Sequence, residues 1–233
     1  MLYDSIAPIY DYWSRSVTED VEFYVEEALA SGGPIVELAV GTGRVAVPIA
    51  EAGIDVIGVD LSAGMLAVAR EYADTRRVGG RVDLRVGDLR KPPVSERVPL
   101  VICPFRSLLH MPDETEKLRA LRAARELLAA GGRLVFDVFA PSREDVEETH
   151  GRWLEREPGI FERADWDEAT RTLTLSVRSG ESAATMELHW LGASEWLALL
   201  DTAGFEIDAL YGWFDRRPYA GGEDMVFVAT RRG

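Results

Sequence analysis

The run Glu37-Leu38-Ala39-Val40-Gly41-Thr42-Gly43-Arg44 stands directly behind the apolar residues Pro34–Val36, and the later run Val56-Ile57-Gly58-Val59 delivers Asp60. A short buried strand, a Gly-x-Gly turn, a helix and a second strand ending in an acid make a nucleotide-binding crevice. The glycines allow a tight turn and let the backbone approach a ligand with no Cβ in the way. An acid closing the second strand can accept hydrogen bonds from both hydroxyls of a ribose.

Two cofactor classes use this layout. Gly41-x-Gly43-x-x-Ala46 satisfies the dinucleotide fingerprint, with Asp60 near the expected distance, so a nicotinamide-dependent oxidoreductase is one reading. Three features favour S-adenosylmethionine (SAM). Glu37 lies just before the turn, where it can order the loop amides or meet a ligand's ammonium group; an anionic pyrophosphate has no use for it. A second acidic turn, Val86-Gly87-Asp88-Leu89, follows the strand-like run Arg81–Val86 and can accept from an adenine amino group. The chain then closes with helix, Ala203-Gly204-Phe205, strand, long loop and strand, the pattern of an antiparallel hairpin.

On these residues the chain resembles the class I SAM-dependent methyltransferases, and among them the small bacterial enzymes that open with Tyr-Asp…Ala…Tyr-Asp, here Tyr3-Asp4, Ala7 and Tyr10-Asp11. Sugar N-methyltransferases and glycine N-methyltransferase-like proteins are of this kind. The resemblance is strong over residues 34–70, fair over 82–139 and 193–230, and poor over 142–192. It implies a seven-stranded, mostly parallel Rossmann-like α/β sheet with its last strand antiparallel. It implies that Glu37 lies by the methionine moiety with Gly41 and Gly43 bordering it, and that Asp60 holds the ribose; Ala39, Arg44 and Pro104 are further cofactor-binding candidates, Arg44 as a first-turn residue flanking the site. Leu61 and Met65 would line the adenine slot beside Gly87, Asp88 and Leu89. The family usually carries an acid at the start of strand four; Val98-Pro99-Leu100-Val101-Ile102 has none, and no catalytic role is carried there.

With 233 residues and 47% hydrophobic content, the chain fits one domain with an elaboration and can bury a proper core. Its formal charge of −14 argues against nucleic acid, which needs a basic footprint. The single cysteine, Cys103, sits in the apolar run VICPF and reads as a small buried hydrophobe. The first residues lack a basic start and an apolar core, and no apolar run approaches membrane-spanning length, so a cytoplasmic protein without membrane partners is the expectation. No His, Asp and Glu spacing suggests a metal. No Asn/Asp-Pro-Pro-Tyr run occurs, and Cys103-Pro104-Phe105-Arg106 stands in its place. The acceptor is expected to be a nitrogen or oxygen of a small molecule, handled by a monomer or homodimer. A SAM-binding protein without catalysis is the remaining alternative.

The strand and helix alternation predicts strands at 35–39, 54–59, 81–86, 98–103 and 133–139. Helices are expected to about Ala30 behind Ser16 or Thr18, at 43–52, at 63–74 behind Ser62, and from Asp113 to Ala129, stopped by Gly131-Gly132. Residues 152–190 change to period two in FERADW, RTLTLSV and ATMELHW, which predicts antiparallel strands with one wet face. Ser194 is expected to cap a helix at 195–203, followed by strands 205–211 and 224–230. The division is then an N-terminal lid and helix (1–30), a cofactor-binding domain (31–141 with 193–233) and an antiparallel insert (142–192) serving as substrate cap or dimer interface. The segment 1–15 and the insert are expected to close over the crevice. Catalytic candidates are His110, just past strand four, and Tyr10, over the methyl donor. Trp13, Trp153, Trp190, Trp213 and Phe214 are candidates for an aromatic pocket, and Arg216 and Arg217 for an anionic substrate group. The acidic run Glu144–Glu148 reads as a solvated helix face.

Overall fold

The structure, a computed structural model, describes residues 18–233. Helix α1 (Glu19–Ser31) leads into β1 (Ile35–Leu38), α2 (Ala46–Glu51), β2 (Val56–Asp60), α3 (Ala63–Thr75), β3 (Val82–Val86) and β4 (Val98–Cys103). A 3₁₀ turn (Ser107–His110) leads to α4 (Glu114–Leu127) and β5 (Leu128–Phe139). After α5 (Arg143–Thr149) come β6 (Trp153–Glu157), β7 (Ile160–Asp167), β8 (Thr172–Ser179) and β9 (Ser182–His189). The chain closes with α6 (Ala193–Ala203), β10 (Phe205–Tyr211) and β11 (Asp224–Arg231).

Seven strands form one sheet in the order β10-β11-β5-β4-β1-β2-β3. Strands β1 to β5 run parallel, and β11 lies antiparallel between β5 and β10. The order reverses at β1, which pairs with β2 on one side and β4 on the other. Ligands of open α/β sheets bind at such a switch point, beyond the carboxyl ends of the strands. All four residues of β1 are buried, as a central parallel strand covered by helices demands. That burial encloses one acid, Glu37.

Two helix starts follow their sequence signals. The Ser62 hydroxyl accepts from Met65 N at 3.0 Å, and the Asp113 carboxylate from Glu116 N at 2.8 Å. Others differ. Thr18 flanks α1 without a side-chain cap; Glu19, Asp20 and Glu22 instead put negative charge on its first turn. Residues 43–45 belong to the turn, and regular helix begins only at Ala46. Ser194 is not the cap of α6: Gly192 takes that position, its N–H donated to the Glu195 carboxylate at 2.8 Å. Gly131-Gly132 does not stop α4, which passes into β5 at Leu128. The glycines lie in a register shift between β4 and β5, where Val98 pairs with Leu128 but Leu100 with Arg133. A Cβ on Gly132 would stand 3.1 Å from three backbone oxygens.

The insert is a four-stranded antiparallel sheet, β6 to β9. It has one strand more than the three alternating runs, because Trp153–Glu157 pairs with β7 across Pro158-Gly159. Along β8 and β9, Leu173, Leu175, Val177, Ala184, Met186 and Leu188 are buried on one face. They join the hydrophobic cluster that also holds Phe136, Val138 and Phe139 of the main sheet. The acidic run forms α5, started by the Ser142 hydroxyl on Asp145 N. Among the described residues no helix is long and apolar enough to cross a membrane.

Candidate active site

Strand β1 ends in a turn whose main chain is left-handed at Ala39 (φ 59°) and Gly41 (φ 55°). The Gly41 N–H donates to Asp60 Oδ2 at 2.9 Å, while Asp60 Oδ1 accepts from Ser62 N at 2.8 Å. The acid at the end of β2 thus ties the turn to the start of α3. Gly43, also left-handed, brings the turn close to α3; a Cβ there would lie 3.3 Å from that of Ala69.

Glu37 is 2% exposed, and its Oε2 has no hydrogen-bond partner among the described residues. Burial pushes its carboxyl well above the usual range; Arg44 opposes this, while Asp20 and Asp60 add to it. Arg44 grips the buried Asp20 through two hydrogen bonds of 2.7 and 2.6 Å and lies 4.7 Å over the Phe105 ring. Glu37, Ala39, Gly41, Arg44, Pro104 and Phe105 enclose a small hollow of about 30 Å³.

Ala39, Gly41, Phe105 and Ser107 also border a cleft of about 600 Å³, within the size range of ligand sites. Asp60 and Met65 line one end of it. The insert supplies an apolar wall from Trp166, Leu173, Leu175, Met186 and Leu188, and the loop before β11 adds Trp213 and Phe214. Acids dominate the polar lining. Asp224 pairs with Arg106 at 2.8 Å and Glu162 with Arg156 at 2.9 Å. Asp145 is pushed up to about 6 by burial and by its hydrogen-bonded neighbour Glu223. His110, at the end of the 3₁₀ turn, lines the cleft; burial pushes its imidazole down to about 4, against the opposing hydrogen bond to the Glu187 main chain. It is therefore neutral at physiological pH.

The second acidic turn lies at the sheet edge. Gly87 N donates to Asp60 O at 2.9 Å, and Leu89 is buried in the core. Asp88 is held by Arg90, whose side-chain hydrogen bonds lower its carboxyl and which also reaches Glu116. Leu61 is 45% exposed. Among the described residues, the linings of the hollow and the cleft include Met65 but not Leu61, Gly43, Gly87, Asp88 or Leu89.

Arg216 binds Glu26 and Glu27 of α1 and lies 4.6 Å over Phe23, and Arg217 binds Asp215. Both are engaged in ion pairs of the loop and α1. Trp153 is on the outer face of the insert, 4.1 Å under Arg178, and Trp190 packs against Trp166. Tyr3, Asp4, Ala7, Tyr10, Asp11, Trp13 and Ser16 lie outside the described residues, as does the whole of the segment 1–15. Cys103 is buried, and its thiol is pushed above its usual range by burial. No metal-ligating group of three or more His, Cys, Asp or Glu occurs among the described residues.

Sequence reasoning missed Asp137, which is 6% exposed and pushed up to about 6 by burial and by Asp20. It is the one charge within the apolar run Leu134–Phe139, and that was its signal. It also missed Trp166 and the Asp145–Glu223 pair, which sit on separate elements far apart in the chain.

A family described as a methyltransferase domain matches residues 35–132. The CcbJ methyltransferase of Streptomyces caelestis is 27% identical, with a TM-score of 0.85 over 99% of this chain and 97% of that one. SAM-bound CalS10, an amino pentose methyltransferase from Micromonospora echinaspora, is 23% identical, with a TM-score of 0.66 and coverage of 95% of each chain. A ubiquinone/menaquinone biosynthesis C-methyltransferase, UbiE of Geotalea uraniireducens, is 28% identical over 61% of this chain and 63% of its own length. The protein is a class I SAM-dependent methyltransferase. Its cofactor is SAM, and the residues at the switch point suit it. In this methyltransferase Glu37, one oxygen of which has no hydrogen-bond partner among the described residues, lines the small hollow, and a carboxylate there suits an ammonium group. Asp60, lining the adjoining end of the cleft, is the carboxylate that suits a ribose.

Proposed function

We propose that this methyltransferase transfers a methyl group to a nitrogen or oxygen of a small molecule, and that the preferred acceptor is a basic amine. The observation that supports this is the cleft itself, which combines an apolar wall from the insert with the acids Asp137, Asp145, Glu162, Glu223 and Asp224. Its acids outnumber its arginines, so it attracts a cationic group and repels an anionic one. Its aromatic wall matches an apolar or ring-shaped body.

Glu37, with Ala39, Gly41, Gly43, Arg44 and Pro104, would hold the methionine end of the cofactor. Asp60 would hold the ribose. Leu61, Met65, Gly87, Asp88 and Leu89 would surround the adenine. Bound SAM supplies a methyl group on a sulfonium that is its own leaving group. The chain's work is then to align the acceptor in line and to exclude water.

An amine must lose its proton before attack. An ordinary alkylammonium has a pKa near 10, and His110 sits at about 4. That gap of roughly 6 units corresponds to about 8 kcal/mol, too much for His110 to take the proton outright. His110 instead orients the nucleophile's lone pair through a hydrogen bond, and the amine's proton leaves to water before the cleft closes. Tyr10 is proposed to pack over the methyl donor from the N-terminal segment. On this reading the insert and that segment would together serve as the lid.

The test is methyl transfer from labelled SAM to a panel of amino sugars, aliphatic amines, phenols, carboxylic acids and quinols. Amines are expected to react and carboxylic acids not to. Turnover confined to quinols would replace the amine reading with the carbon acceptor that the UbiE likeness favours. On the accepted amine, His110→Ala is expected to lower kcat by about a hundredfold and His110→Gln by less than about tenfold. The pH profile of kcat/KM should rise with deprotonation of the amine, and any inflection near 6 should come from Asp137 or Asp145 and survive in His110→Gln. A break there that His110→Gln abolishes would make His110 the base.

A further inference from the structure

Phe105 and Arg106 are consecutive non-glycine residues with φ of 57° and 60°. Side chains rarely adopt this left-handed backbone, and two in succession require something to hold them. Successive N–H groups in such a turn converge into an anion-binding nest. Here the nest is filled from within the protein. Asp137 Oδ1 accepts from Phe105 N at 2.8 Å and Oδ2 from Arg106 N at 3.0 Å. The Tyr24 hydroxyl of α1 donates to the same Oδ1 at 2.6 Å.

What this turn carries lies on both sides of the site. Phe105 walls the hollow beside Glu37 and supports the Arg44 guanidinium. Arg106 flanks the 3₁₀ turn that ends at His110, and its carbonyl accepts from Leu109 N at 2.9 Å. Its side chain lies 4.6 Å over Phe139 and reaches Asp224 across the cleft. We infer that Asp137 is a positioning residue for both halves of the reaction: by holding the Phe105–Arg106 turn left-handed it fixes the cofactor hollow on one side and the His110 turn on the other. A buried carboxylate on a central strand is otherwise a costly choice where an apolar residue would pack.

The inference rests on the reading that the hollow beside Glu37 receives the cofactor, and S-adenosylhomocysteine is the probe. Asp137→Asn keeps the shape but presents an amide N–H₂ to one of the donors. It is expected to weaken calorimetric S-adenosylhomocysteine binding by about tenfold. It should also speed hydrogen exchange at the Phe105 and Arg106 amides. Tyr24→Phe removes a buried donor but leaves the nest filled. It is expected to lower the melting temperature comparably and to change affinity by less than about twofold. In an Arg106→Gly background, glycine holds the left-handed turn unaided, so Asp137→Asn should then cost less than about threefold.

An Asp137→Asn protein that binds as tightly as the wild type overturns the inference. So does a loss undiminished by Arg106→Gly, since that marks an effect of charge rather than of backbone. Should Asp137→Asn not fold, unsubstituted protein still decides. Slow exchange at both amides without ligand supports the nest, and exchange at the rate of an open loop refutes it. Failure of the cofactor reading looks different: Glu37→Gln would then bind S-adenosylhomocysteine normally whatever Asp137 does.

Discussion

Glu37→Gln is expected to leave the free protein as stable as the wild type or more so, and to lose cofactor binding by about 3–5 kcal/mol, the cost of breaking a buried charge pair. The two effects share one cause. In the free protein the carboxyl is enclosed, and one oxygen lacks a partner among the described residues. Burial raises its pKa, so the fold prefers the protonated acid. Stability contributed by Glu37 therefore falls as pH rises from the usual carboxylate range through the raised value. An isosteric amide removes that cost. The ligand's ammonium group needs the ionised form, so binding expels a proton and weakens as pH falls through the raised pKa. Calorimetry with S-adenosylhomocysteine in two buffers of different ionisation heat reads the proton directly. Thermal unfolding reads the other half. A Glu37→Gln protein that is less stable when free yet binds normally would assign Glu37 to the fold alone.

Asp60→Ala carries the second large effect. On the proposed role, a charged acceptor for two ribose hydroxyls, the substitution is expected to cost about 2–4 kcal/mol of cofactor affinity. The carboxylate also holds Gly41 N and Ser62 N, so the alanine variant loosens the turn as well as losing the hydroxyls. Asp60→Asn separates these: one oxygen remains for the Gly41 or Ser62 amide, but the charge is gone. Its affinity should fall between the other two, with a melting temperature near that of the wild type. Equal affinity in all three proteins would leave Asp60 as a clamp on the turn beside the start of α3 and nothing more.

The turn after β1 was readable because its parts are local. Glu37 lies just ahead of a turn that holds Gly41 and Gly43, and Asp60 ends the next strand and accepts from Gly41 N, so nearness along the chain carried over into nearness in space. The insert was readable as strands because period two survives without knowledge of partners. Its first strand escaped because Trp153–Glu157 is mostly exposed and shows no alternation. Gly131-Gly132 misled because a helix stop and a bulge ask the same freedom of the backbone. The acceptor cleft was hidden for a different reason. Trp166, Glu162 and Asp224 meet there only through tertiary packing, and Arg216, reasonable as an anion ligand in a loop, is drawn to the acids of α1. Asp137 was visible as a charge in an apolar run, yet its role depends on where the Phe105 and Arg106 amides point.

The wall that would meet the acceptor is also the joint between insert and sheet. Leu173, Leu175, Met186 and Leu188 face the cleft and at the same time belong to the continuous core shared with Phe136 and Phe139. Enlarging the pocket for a bulkier acceptor therefore opens a void in the seam, and a leucine cut to alanine there carries a penalty of about 2–5 kcal/mol. Natural drift in acceptor choice should accordingly concentrate at Thr149, Arg156 and Trp213, which line the cleft but lie outside that shared core. A library selected for new acceptors would recover changes at these positions alone and wall changes only together with stabilising substitutions elsewhere.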